Sequence, residues 1–155
     1  MVRNAGVSAE QVCPERESAP AATALPFVLY LENNTANLFL MEVVLRQNGA
    51  LEMIAARSPE QALAVLDTGS PLAVIADLHL PGMGGMTGLR RLRSHPAMTG
   101  SALIALSTDD DPALERAARQ AGCDAFMTEP LDLERLAALF HSLVTAAQRA
   151  RGAVA

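Results

Sequence analysis

The chain contains no lysine, and all twelve of its basic residues are arginines. A P-loop requires a lysine after its glycines and Schiff-base catalysis requires a lysine amine, so both of these enzyme classes are excluded. Tryptophan is also absent, and the aromatic residues are four phenylalanines and one tyrosine. With a formal net charge of -5, the chain has neither a basic track nor a stacking surface for nucleic acid, and we expect no nucleic-acid partner.

Cysteine is scarce and long apolar runs are missing. Cys13 and Cys123 have no CxxC spacing and no companion histidine for zinc, so we interpret both as free thiols in a reducing cytoplasm. No apolar stretch approaches the roughly 18 residues of a membrane span, and residues 1–26 lack the apolar core of a signal peptide. We therefore expect a soluble cytoplasmic protein with no membrane partner, and a disordered tail at residues 1–26.

Short apolar runs alternate with helical patterns along the rest of the chain. The runs predict five strands at residues 27–31, 52–56, 72–76, 102–106 and 125–128. Apolar residues spaced three and four apart predict helices at residues 35–48, 59 to near 69, about 85–94, 112 to near 122, and from beyond 130 to 147. Strands that alternate with helices predict an α/β fold, in which one parallel sheet of strand order 2-1-3-4-5 is covered on both faces.

Capping residues and stop residues predict where several of these helices begin and end. Ser58 precedes a proline and should be an N-cap, with Gln61 closing a capping box. Asp111 also precedes a proline and should cap the fourth helix, while Asn48-Gly49 should stop the first.

Asp77 follows the apolar run in the stretch LAVIADLHLPGMGG, residues 72–85. A continuous apolar run is typical of a strand covered on both faces, and glycines and a proline then open a loop. An aspartate at the carboxyl end of such a strand lies where open α/β sheets bind their ligands. Taken alone, this stretch leaves open whether Asp77 has a function or simply ends a strand.

The predicted topology gathers further polar residues beside Asp77. The carboxyl ends of strands one, three, four and five should converge at one edge of the sheet. The residues at these ends are Glu32, Asn33, Asp77, Ser107 and Glu129. We therefore expect a functional site there.

Four motifs in order, YLENN, IADLHLPGMGG, IALST and FMTEPLDLERL, resemble those of the receiver domain of two-component response regulators. The resemblance covers residues 27–147 and leaves 148–155 as a frayed C-terminal tail. It implies a single flavodoxin-like (βα)5 domain that is a phosphoacceptor module and not an enzyme in its own right.

The resemblance also implies roles for individual residues. Asp77 would accept a phosphoryl group from a phosphohistidine on a histidine kinase or phosphotransfer protein, and the Ser107 hydroxyl would hydrogen-bond that group. Mg²⁺ would be held by Glu32, Asn33, Asp77 and the main-chain carbonyl of His79. The His79 imidazole needs no role, and we expect it at the surface.

Two positions depart from the family pattern. Asn33 replaces an aspartate that would ligate the metal, and Glu129 replaces the lysine that would pair with the phosphoryl group. The four side chains of the site, Glu32, Asn33, Asp77 and Glu129, therefore carry a summed charge of -3. The same four positions carry -2 in the family pattern. Neighbouring carboxylates raise one another's pKa. We expect slower phosphorylation of Asp77, weaker Mg²⁺ binding, or loss of both reactions.

Two functions stay open on these observations. One is a single-domain receiver that accepts phosphate on Asp77 and signals through protein contacts. The other is a degenerate pseudo-receiver that acts as a phosphorylation-independent interaction module. A third, an unrelated Mg²⁺-dependent phosphohydrolase, is disfavoured because His79 stands where a second acid is needed. On the first helix, Phe39 and Val43 lie off the core-facing side and are candidates for docking a helical partner.

Overall fold

A computed structural model of the protein describes residues 26–48, 51–84 and 86–154. It contains one sheet of five strands, which are β1 Phe27–Leu31, β2 Glu52–Ala56, β3 Ala73–Asp77, β4 Ala102–Ser107 and β5 Ala125–Thr128. Five α-helices surround the sheet, namely α1 Thr35–Asn48, α2 Pro59–Leu66, α3 Thr87–Ser94, α4 Pro112–Gln120 and α5 Leu133–Val154. A short 3₁₀ turn, Pro96–Met98, follows α3.

All neighbouring strands are parallel, and their order is β2-β1-β3-β4-β5. The predicted α/β class and strand order 2-1-3-4-5 are therefore confirmed. Leu31 pairs with Ala76, and Asp77 pairs with Leu106. This register sets the ends of β1, β3 and β4 side by side at the carboxyl edge of the sheet.

The core has two halves, one on each face of the sheet. One cluster joins Leu29 and Leu31 of β1 to apolar side chains of α2, α3 and α4. The other joins Val28 and Tyr30 to α1 and α5, with Phe140 among its fully buried members. Because successive strand residues point to opposite faces, the continuous apolar run of β1 supplies both halves.

Several helices begin with a side chain that caps the first turn. The Ser58 hydroxyl accepts from Gln61 N at 3.1 Å, which confirms the predicted N-cap of α2. The Gln61 side chain, however, accepts from Arg57 N at 2.7 Å, so it satisfies the amide one residue before the one that a capping box would bond. Asp111 caps α4 as predicted, by accepting from Ala113 N at 2.9 Å.

Several boundaries differ from the prediction. Helix α5 continues to Val154, so the segment placed in a frayed tail from residue 148 is helical to that point. This segment has no proline and is rich in alanine and arginine, which are strong helix formers. Helix α2 ends earlier than predicted, at Leu66, where Thr68 N bonds Val65 O in a tight turn. Strand β3 is shifted by one residue, to Ala73–Asp77, and strand β4 extends by one residue, to Ser107.

Some expectations concern residues outside the described part of the chain. These are the disordered tail up to residue 25, the thiol of Cys13, the stop at Gly49 and the start of α3 near Gly85. Within the described part, no helix is both long enough and apolar enough to cross a membrane.

Candidate functional site

The carboxyl edge of the sheet carries an acidic pocket, which we define by Glu32, Asp77 and Glu129. Glu32 follows β1, Asp77 ends β3 and Glu129 follows β5. The negative charges of Asp77 and Glu32 both raise the pKa of Glu129, so the three carboxyl groups lie within electrostatic reach of one another. Ser107 ends β4 at the same edge, and its main-chain oxygen accepts from Glu129 N at 2.8 Å.

Asp77 is only 9% exposed. Its Oδ1 accepts a hydrogen bond of 2.9 Å from the main-chain N–H of His79. Burial raises the pKa of Asp77, the His79 amide lowers it in part, and the charge of Glu32 raises it again. The net direction is upward. Asp77 therefore keeps its proton to a higher pH than an exposed aspartate, and it is a weaker nucleophile while protonated.

Glu32 is 1% exposed, and its carboxylate accepts four hydrogen bonds. Oε1 accepts from the Tyr30 hydroxyl at 3.1 Å and from Asn37 Nδ2 at 3.2 Å. Oε2 accepts from Asn33 N at 3.2 Å and from Asn34 N at 3.1 Å. A carboxylate has about four lone-pair sites, so these donors occupy the whole acceptor capacity of Glu32.

The anchoring of Glu32 by Tyr30 and Asn37 was not predicted. Tyr30 lies two residues before Glu32, and residues two apart on a strand point to the same face. This period-two relationship is the signal that could have identified Tyr30. Asn37 lies in the first turn of α1, where nothing in the sequence distinguishes a polar residue that reaches back to the strand from one that faces solvent.

Asn33 is exposed, and its main-chain oxygen accepts from Arg57 Nη1 at 3.3 Å. The next residue, Asn34, caps α1, because its Oδ1 accepts from Ala36 N at 2.9 Å and from Asn37 N at 3.2 Å. The loop after β1 is thus organised by the Asn34 side chain and by the Glu32 carboxylate.

Ser107 is fully buried, and its hydroxyl has two partners. Oγ accepts from Asp109 N at 2.9 Å and lies 3.1 Å from Nε2 of His79. The same imidazole nitrogen lies 3.2 Å from Oγ1 of Thr108. His79 is exposed, as expected, but its imidazole contacts both hydroxyls. This contact was not predicted, and neither was the part played by Thr108.

Glu129 is half-buried and follows β5, where a cis peptide bond joins it to Pro130. Burial is the largest cause of its raised pKa, and the charges of Asp77 and Glu32 follow. In the part of the chain that the structure describes, no side chain donates a hydrogen bond to the Glu129 carboxylate. The pocket therefore holds three acids, and no arginine or histidine among the described residues forms an ion pair with Glu129.

A family model described as the response regulator receiver domain matches residues 28–141. The chain belongs to this family. The sensory/regulatory protein RpfC of Xanthomonas campestris is 32% identical over 111 residues, which are 70% of this chain and 15% of that protein. The polar-differentiation response regulator DivK of Brucella ovis is 26% identical over 70% of this chain and 87% of its own length. The chain thus spans a small part of RpfC and most of DivK.

Solved structures agree with this assignment of the fold. The receiver domain of a Pseudomonas aeruginosa sensor histidine kinase superposes with a TM-score of 0.68, at 21% identity, over 79% of this chain and 99% of that domain. That structure has a magnesium ion coordinated in its active site cleft. At this level of identity the superposition shows the shared receiver fold.

The acidic pocket of this receiver fits Mg²⁺ poorly. In residues 26–48, 51–84 and 86–154, no three histidine, cysteine, aspartate or glutamate side chains are arranged to hold a metal ion. Both oxygens of Glu32 are already occupied by donors, and Asn33 offers an uncharged oxygen where an acid would serve. Mg²⁺ requires near-octahedral oxygen ligands, usually including carboxylates. The oxygens of Asp77, the His79 carbonyl and Glu129 would have to supply them.

Proposed function

We propose that the chain is a receiver module of a phosphorelay. In this proposal a histidine kinase or phosphotransfer protein donates a phosphoryl group to Asp77, and the modified protein signals through protein contacts. The observation that carries it is the placement of Asp77, a buried carboxylate at the end of β3 with the Ser107 hydroxyl at the end of the adjacent strand. Membership of the receiver family supports the same reaction.

The proposed reaction is a phosphoryl transfer to a carboxylate. An oxygen of Asp77 forms a bond to phosphorus while the bond from phosphorus to the partner's imidazole nitrogen breaks. Such transfers depend on positioning and on neutralisation of the phosphoryl oxygens. Here the His79 amide positions Asp77, but Glu32 and Glu129 add negative charge beside the incoming group. We therefore expect transfer to be slow compared with that of receivers that have a lysine in place of Glu129.

Intact-mass measurement tests the proposal. The parent protein is incubated with acetyl phosphate and Mg²⁺, or with a phosphorylated cognate kinase, alongside Asp77→Asn. Asp110→Asn is the matched control, because Asp110 is an exposed aspartate in the loop after β4. We expect the parent and Asp110→Asn to gain one phosphoryl group and Asp77→Asn to gain none. Equal labelling of Asp77→Asn and the parent would exclude Asp77 as the acceptor.

A second candidate is the phosphorylation-independent pseudo-receiver. It is favoured by the full occupancy of the Glu32 carboxylate and by the raised pKa of both Asp77 and Glu129. Both carboxyl groups keep their protons to a higher pH than exposed acids, and the Glu32 oxygens are already engaged by protein donors, so each feature disfavours a bound cation. A parent that takes no label from acetyl phosphate or from its kinase supports this candidate against the first.

Under either candidate, the proposed partner surface is the apolar patch on α1, which we define by Phe39, Leu40 and Val43. Their exposed fractions are 70%, 37% and 36%, whereas Met41 of the same helix is fully buried. The patch begins one turn after the loop that holds Glu32. An exposed apolar helix face suits a partner that presents a helix of its own.

A further inference from the structure

His79 contacts residues at the carboxyl ends of both β3 and β4. Its main-chain N–H donates to Oδ1 of Asp77, and its imidazole Nε2 lies within hydrogen-bond distance of the hydroxyls of Ser107 and Thr108. Among the described residues, no other side chain forms a hydrogen bond between the loop after β3 and the loop after β4. One residue therefore links the proposed acceptor to the β4–α4 loop.

The Ser107 hydroxyl is held from two sides. Asp109 N is a donor, so Ser107 Oγ accepts from it. Nε2 of His79 lies 3.1 Å from the same oxygen, and the direction of this second hydrogen bond depends on the tautomer of the imidazole. With the ring proton on Nδ1, Nε2 accepts from the Ser107 hydroxyl, and with the proton on Nε2, the imidazole donates to the second lone pair of Oγ. In both tautomers the imidazole holds the hydroxyl.

We propose that His79 is a latch, a positioning residue that holds the Ser107 hydroxyl and the start of the β4–α4 loop in the unmodified state. The hydroxyl reaches a group on Asp77 only after the imidazole has left it. The Thr108 hydroxyl lies 3.2 Å from the same imidazole nitrogen and helps to hold the imidazole in the latched position. The consequence for Asp77 rests on the proposed function, whereas the latch itself is a property of the unmodified protein.

The imidazole can be removed without disturbing Asp77 directly. The bond from His79 to Asp77 comes from a main-chain N–H, which every substitution except proline retains. His79→Ala removes both contacts to the hydroxyls, and His79→Gln offers an amide that can restore one. His141→Ala is the matched control, because His141 is an exposed histidine on α5.

Amide hydrogen exchange of the unmodified protein tests the latch first. The reporter is the Asp109 N–H, which donates to Ser107 Oγ. We expect His79→Ala to speed the exchange of this amide about fivefold, which corresponds to the loss of about one hydrogen bond, with His79→Gln within about twofold of the parent. His141→Ala should exchange at the parent rate. Unchanged exchange in His79→Ala would overturn the latch.

Labelling with acetyl phosphate then tests whether the latch slows the modification of Asp77. If the parent is labelled, His79→Ala should be labelled about fivefold faster, since no hydrogen bond to the imidazole has to break. Equal rates in the two proteins would overturn the control of Asp77 by the latch. A parent that takes no label contradicts the proposed function, and the exchange measurement still decides the latch. Should His79→Ala fail to fold, His79→Leu gives the same readouts, because leucine fills similar space and has no polar atom to reach the two hydroxyls.

Discussion

The hydroxyl of Tyr30 donates a hydrogen bond of 3.1 Å to Oε1 of Glu32, and both residues are buried at the carboxyl end of β1. Burial raises the pKa of Tyr30, and the charge of Glu32 raises it further. The phenol therefore stays protonated and remains a donor at any physiological pH. Tyr30 is also the only tyrosine in a chain without tryptophan, so its fluorescence reports on the acidic pocket.

Replacing Tyr30 by phenylalanine should destabilise the protein. The change leaves one lone pair of the buried Glu32 carboxylate without its donor, which costs about 1–3 kcal/mol of unfolding free energy. Urea denaturation followed by far-UV circular dichroism measures this loss. Thr99→Val is the control, because it removes an exposed hydroxyl that bonds Pro96 O at the surface. A loss no larger than that of the control would contradict the anchoring role of Tyr30.

The fold was largely predictable because it depends on signals that are local in sequence. The bounds of β1, β2 and β5 agree with the apolar runs, and the cap at Ser58 was correctly placed. The predicted end of β3 missed Asp77, because the pairing of Asp77 with Leu106 is a main-chain property that leaves no trace in hydropathy. Apolar periodicity is likewise weak after residue 147, where helix α5 continues.

The site was predictable only in part. The placement of Asp77, Ser107 and Glu129 at the carboxyl edge of the sheet was predicted because each follows an apolar run at a strand end. The contact of His79 with Ser107 joins residues far apart in sequence, and it depends on side-chain positions that no spacing rule encodes. The full hydrogen bonding of Glu32 likewise depends on how the loop after β1 folds back.

Glu129→Gln should stabilise the protein, and increasingly so as the pH rises. The pKa values of Asp77 and Glu129 are raised in the folded state, so the folded protein holds protons that the unfolded chain has already released. The stability that these groups contribute is complete below the ordinary carboxyl pKa of about 4 and is lost as the pH rises through the raised values. Because Glu129→Gln removes one of these two acids, it reduces the loss of stability at higher pH.

Thermal unfolding of parent and variant at a series of pH values measures this effect. We expect Tm of Glu129→Gln to exceed that of the parent by about 2–4 °C near neutral pH, and by little at pH values near 4. Glu134→Gln, which removes an exposed acid on α5, should follow the parent at every pH. A Tm difference that stays constant with pH would show that Glu129 does not share the electrostatics of the pocket.

The double variant Asn33→Asp with Glu129→Lys should strengthen both Mg²⁺ binding and the phosphorylation of Asp77. The new aspartate supplies a charged oxygen for Mg²⁺, and the new lysine supplies a cation for the phosphoryl oxygens. We expect Mg²⁺ to bind about tenfold more tightly, as followed by Tyr30 fluorescence, and acetyl phosphate to label Asp77 faster. Asn33→Asp alone should improve mainly Mg²⁺ binding. A double variant that behaves like the parent would show that charge does not limit this site.

The apolar patch on α1 should affect transfer from a protein donor and leave transfer from a small donor unchanged. Phe39 is 70% exposed, so Phe39→Asp disturbs little of the core while removing the largest side chain of the patch. Losing a buried aromatic contact at an interface costs about 1.5–3 kcal/mol, so phosphotransfer from a phosphorylated histidine phosphotransfer protein should slow about tenfold or more. Labelling by acetyl phosphate should stay at the parent rate.

Leu133→Asp, at a 42% exposed leucine of α5, is the matched control and should leave both rates unchanged. If Phe39→Asp slows both donors equally, the substitution has disturbed the acidic pocket and the patch is not the docking surface.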